Sequence, residues 1–62
     1  LKKEFETDPA AAVKKLRKKK GWSVADLAEL VARSPRTIEN WEQGRRAIPA
    51  AALKRLIALS HQ

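Results

Sequence analysis

LRKKKGWSVADLAELVARSPRTIENWEQGRRAIP, residues 16–49, carries two helix starts and two helix stops in close succession. Gly21 is a stop, because glycine accepts the left-handed backbone that closes a helix. Ser23 is a start: its hydroxyl caps free backbone N–H groups, and Asp26 stands three residues on, a short-armed version of the reciprocal capping box. Trp22 and Leu27 occupy the two positions of a hydrophobic staple. Val24, Leu27, Ala28 and Val31 then recur at i, i+3, i+4 and i+7, the apolar stripe of an amphipathic helix that is expected to end near Ala32. Ser34-Pro35 is a second cap followed by a proline at the first helical position, and Gly44 a second stop. A helix is therefore expected over 35–43, with Ile38 and Trp41 on its inward face and about two residues linking it to the helix before. So short a link forces the pair to cross at an angle.

Upstream, Asp8-Pro9 starts a helix that runs to about Lys20. Six of the seven residues over 14–20 are cationic and crowd the C-terminal end, where the helix dipole favours them. Residues 1–7 read as a polar N-terminal arm in which only Phe5 has anything to pack, so the domain itself is taken as 8–62. Downstream, Arg45 to Ile48 form a basic loop, and Pro49 starts a last helix with no capping side chain before it. Ala52, Leu53, Leu56 and Ile57 supply its stripe. Leu59 lies on or beside that stripe and is read as an exposed apolar residue available to a second copy of the chain. The fold class is all-α, a bundle of four to five short helices.

With 62 residues the chain holds one domain. Its 14 Lys and Arg against 7 Asp and Glu give a net charge of +7, which favours a polyanionic partner, most often nucleic acid and less often an anionic membrane surface. There is no cysteine, which excludes disulfides, thiol chemistry and cysteine-ligated zinc. No apolar run approaches the roughly 20 residues of a membrane span, and no charged-then-apolar leader opens the chain, so a cytoplasmic, nucleoid-associated protein is expected. One histidine near the end, His61, and no glycine-rich phosphate loop argue against an enzyme. No cofactor or metal is expected.

Within 16–49, Leu16, Arg17, Gly21, Trp22, Ser23, Leu27, Ala28, Ser34, Thr37, Ile38, Trp41, Glu42 and Gly44 stand in register with no gap. This pattern resembles the helix-turn-helix of phage-repressor-like regulators, the Cro and lambda-repressor superfamily known as XRE-type. The match covers about half the chain. Three positions depart from it: Val24 replaces a glutamine that commonly touches a DNA phosphate, Ala32 replaces a turn glycine, and Arg33 replaces a small apolar residue.

The resemblance implies a lambda-repressor-like bundle that binds double-stranded DNA and regulates transcription in a prokaryote or phage, as a repressor. It places Pro35, Arg36, Glu39 and Asn40 at or near base edges. Physical chemistry agrees with parts of this. A nine-residue helix is about 13 Å long and fits a major groove about 12 Å wide. Arginine grips the two acceptors of guanine, and asparagine pairs with the donor and acceptor of adenine. Proline offers only apolar contact to a thymine methyl, and Glu39 either accepts from cytosine or holds Arg36. Lys20, Ser23, Thr37, Arg45 and Arg46, near helix starts or past the reading helix, are the expected phosphate contacts.

Arg17 falls on the inward stripe with Val13, Leu16 and Lys20, and Glu42 on the inward stripe with Ile38 and Trp41. Two opposite charges on two such stripes are expected to pair, and the family has an Arg–Glu pair there. One reading helix covers few base pairs, so a homodimer on DNA is expected, its half-sites about 34 Å apart. Two rivals use the same fold. One is an antitoxin with a toxin partner. The other is a protein-interaction or membrane-surface module that has lost DNA.

Overall fold

A computed structural model of the chain describes residues 2–61; Leu1, at the head of the expected arm, and Gln62 lie outside the described residues. The described residues form five helices: α1 Lys2–Thr7, α2 Pro9–Lys20, α3 Val24–Leu30, α4 Pro35–Glu42 and α5 Ala50–Ser60.

Local chemistry sets the starts. Asp8 is non-helical (φ −145°, ψ 78°), and its carboxylate accepts from the Ala11 N–H at 3.3 Å. Ser23 and Asp26 form the full reciprocal box, Oγ accepting from the Asp26 N–H at 3.1 Å and Oδ2 from the Ser23 N–H at 3.0 Å. Ser34 Oγ accepts from the Thr37 N–H at 3.2 Å ahead of Pro35. The Pro49 start of α5 has no side-chain cap.

The ends of α2, α3 and α4 share one design. After α2, the Trp22 and Gly21 N–H groups donate back to the Arg17 and Lys18 carbonyls; after α4, those of Arg45 and Gly44 donate to Asn40 and Trp41. Both glycines are left-handed, φ 72° and 73°. After α3 the same pair of bonds forms from Arg33 to Ala28 and from Ala32 to Glu29. There the left-handed residue is an alanine, Ala32, at φ 56°. The helix expected to reach Ala32 therefore stops at Leu30, and the link to α4 is four residues rather than two. The two extra residues are those that make the closing motif.

Each helix contributes to one core. Leu16 of α2, Leu27 of α3, Ile38 of α4 and Leu56 of α5 are fully buried, as is Phe5 of α1. At roughly 1.5–3 kcal/mol for each large apolar side chain withdrawn from water, this set is the main source of stability. Two sequence expectations are corrected here. The polar arm is a helix over residues 2–7, because Phe5 is seated in the core and Glu4 pairs with Lys15 on α2 at 3.0 Å. Leu59 is not exposed but 2% accessible: the buried line of α5 runs Ala52, Leu56, Leu59, with Leu53 and Ile57 on its half-buried flank. Its apolar surface is spent inside the domain. From α5, Arg55 Nε donates to the Leu30 carbonyl at the end of α3, 3.2 Å away. No helix among the described residues is long and apolar enough to cross a membrane.

Candidate nucleic-acid interface

The eight residues of α4 divide sharply by face. Ile38 and Trp41 turn inward, 0% and 2% accessible. Pro35, Arg36 and Glu39 are exposed, and Thr37 and Asn40 are partly so. The helix is about 12 Å long, matched to a major groove of similar width.

A charge pair ties the end of α4 to α2. Arg17 Nε donates to Glu42 Oε2 at 2.7 Å and Arg17 Nη2 to Oε1 at 3.1 Å, a two-pronged contact between planar groups. Arg17 Nη1 also donates to the Trp22 carbonyl at 3.3 Å, so a single guanidinium ties α2, the α2–α3 link and the end of α4. The Glu42 side chain is 7% exposed and that of Arg17 19%. The Glu42 hydrogen bond raises the guanidinium above its ordinary pKa; desolvation opposes this, and the Coulomb attraction of the same carboxylate adds to it.

Around the outer face of α4 the structure brings some of the expected residues together and leaves others apart. Arg36, Thr37, Asn40 and Arg46 border one open groove of about 400 Å³, along with Arg33, Ser34 and Trp41. Pro35 and Glu39 are on the same helix but do not line it. Glu39 makes no ion pair with Arg36, so the notion that it holds that arginine finds no contact here. Arg45 and Arg46 are exposed just past α4, and Lys20 is half-buried at the end of α2. Ser23 is exposed, but its backbone N–H is already taken by Asp26. Its hydroxyl proton remains available to a phosphate oxygen, beside a carboxylate that opposes one. Ser34 Oγ and Thr37 Oγ1 lie 2.9 Å apart, sharing one proton and leaving the other to donate outward. Arg33 was not among the expected phosphate contacts, although its charged head is long enough to reach one. Its sign was the departure itself, an arginine where the family pattern has a small apolar residue.

Trp41 and Arg46 also border a second, more apolar groove of about 460 Å³, closed by the start of α2, Ile48 and Leu53. Among the described residues no group of His, Asp or Glu is placed to hold a metal ion.

A family profile described as a helix-turn-helix domain matches residues 10–61, most of the chain. The chain belongs to the helix-turn-helix domain family. Neither a curated protein nor a solved structure matches it. In this helix-turn-helix domain, α3, the turn over 31–34 and α4 are the segment that fits the name. Such domains are DNA-binding and typically non-enzymatic. The profile begins after α1, so Phe5 and its helix add to the core from outside the matched region.

Proposed function

We propose that this domain is an XRE-type transcriptional repressor that binds double-stranded DNA by sequence, with α4 lying in the major groove. The observation that carries the reading is the face of α4. Arg36 and Asn40 stand four residues apart, border one groove with the cations Arg33 and Arg46, and lie on the opposite side from buried Ile38. Residues so spaced project side by side from a helix. Arg36 takes a guanine through its two acceptors and Asn40 an adenine through its donor and acceptor. Pro35 offers apolar contact to a thymine methyl. Glu39, unpaired with Arg36, accepts from a cytosine amine.

Phosphate contacts supply the grip. They come from Arg45 and Arg46 past the helix end, from Thr37 and Ser23 at helix starts, and from Lys20. The net charge of +7 supports a large share of sequence-independent affinity. A homodimer reads two half-sites about one helical turn apart, through a contact other than the buried Leu59. Occupying an operator in the cytoplasmic nucleoid then blocks transcription.

The test is selection of bound duplexes from a random pool, followed by anisotropy titration of the winner across a salt series. Affinity is expected to fall at least tenfold between about 50 and 200 mM salt. No enriched sequence, or an affinity indifferent to salt, refutes the proposal.

A further inference from the structure

The cations of α2 are more than the domain needs to close that helix. Lys14 and Lys18 are exposed, four residues apart, as are Lys15 and Lys19 on the next row round. Like charges at that spacing destabilise a helix by a few tenths of a kcal/mol per pair. Lys15 has a partner in Glu4 at 3.0 Å. Among the described residues Lys14 and Lys18 have no acidic partner within 4 Å. The helix dipole offsets part of the repulsion at Lys18, in the last turn, but it fades over the turn before, where Lys14 stands. A surface that keeps a locally unfavourable pattern is a candidate for an external compensating charge.

Arg17 gives the reference for the orientation of this row. Lys14, Arg17, Lys18 and Gly21 follow i, i+3, i+4 and i+7, so they share one side of α2. Arg17 on that side reaches Glu42 at the end of α4 and the Trp22 carbonyl, one residue before the Ser23 start of α3. The lysine row therefore flanks Arg17 on the exposed side of α2 and runs toward the C-terminal end of that helix, from which the chain enters α3, where the phosphate contact of Ser23 is proposed. Lys14 and Lys18 are separated by about 6 Å along the helix axis, the span of about two phosphates on one strand.

We infer that Lys14 and Lys18 form a second phosphate-binding row, gripping the backbone of the DNA that flanks the segment read by α4. The inference rests on the proposed DNA binding and extends it to α2. The row supplies affinity and footprint without base preference.

The experiment compares wild type, Lys14→Gln/Lys18→Gln and a control, Lys3→Gln/Lys54→Gln, which removes the same charge from exposed positions on α1 and α5. Each is titrated by anisotropy, across a salt series, against the selected half-site in a duplex of about 10 base pairs and in one extended to about 20. On the longer duplex the α2 variant is expected to lose close to two units of the log–log salt slope, and the control much less. Wild type is expected to gain affinity from the flank, and the α2 variant to gain little, with base preference unchanged in both. An α2 variant that keeps the wild-type slope and flank gain, or a control that loses as much, overturns the inference while leaving DNA binding intact. Wild type that binds neither duplex overturns both readings together.

Discussion

Replacing Arg17 by alanine is the perturbation whose cost the structure defines best. The change removes two hydrogen bonds to Glu42, at 2.7 and 3.1 Å, and one to the Trp22 carbonyl at 3.3 Å. What remains is a carboxylate that is 7% exposed while the arginine covers it and that has lost both of its hydrogen bonds to the guanidinium. Breaking a buried pair from one side costs roughly 3–5 kcal/mol, whereas losing an exposed pair costs at most about 1 kcal/mol. The Arg17 side chain is 19% exposed, so water enters its vacated space and the loss belongs at the lower limit, about 3 kcal/mol. Urea melts followed by circular dichroism read this directly; with a slope of about 1 kcal/mol per molar for so small a domain, the midpoint falls by about 3 M. That is a large fraction of the whole stability of such a chain. The double variant Arg17→Met/Glu42→Leu leaves no orphan charge and is expected to recover most of the loss. A loss below about 0.5 kcal/mol in Arg17→Ala, with the slope unchanged, would refute the reasoning, because it would put the pair in the exposed class.

Three further outcomes are expected. Ala32→Gly relieves a left-handed alanine (φ 56°) at a helix end where the other two such positions are already glycine, and should raise stability by about 1 kcal/mol in the same melts. Leu59→Ala should cost roughly 2–5 kcal/mol at every protein concentration, as a core residue does; a cost that vanishes on dilution would return Leu59 to an interface between copies. Against a panel of single-base operator variants, Arg36→Ala and Asn40→Ala should each lose about 1–3 kcal/mol and relax the choice at one position, while Arg45→Ala weakens all duplexes alike and lowers the salt slope by about one unit. Uniform losses from Arg36→Ala and Asn40→Ala would remove α4 as the reader.

The parts legible in the sequence were those governed by local chemistry. The cap at Ser23 with Asp26, the cap and proline at Ser34-Pro35 and the glycine stops at 21 and 44 all act within a few residues, and with the Asp8-Pro9 start they bound three of the five helices, α2 to α4, while α5 follows from Pro49 and its apolar stripe. The inward face of α4 was legible for the same reason, from the spacing of Ile38 and Trp41. What escaped was decided by contacts between distant residues. The short α1 has a single large apolar residue and no periodicity to detect, and it owes its order to the seat that the rest of the fold gives Phe5. The stripe of Ala52, Leu53, Leu56 and Ile57 leaves Leu59 at its edge, whereas the assembled bundle buries Ala52, Leu56 and Leu59 and leaves Leu53 and Ile57 half-buried. The end of α3 was misplaced because an alanine does there what glycine does elsewhere. The face of α4 shows which residues are presented to a partner.

The two tryptophans give this domain its own optical reporters. Trp41 is 2% accessible yet forms part of the wall of the groove beside α4, whereas Trp22 is half-buried at the entrance to α3. Their emission should separate into a blue component from the drier ring and a redder one from the wetter. If duplex occupies the groove as proposed, the surroundings of Trp41 should change. Unlabelled protein, observed by its own light with each tryptophan retained in turn, thus tells occupancy of the groove apart from charge-driven adhesion elsewhere on the surface.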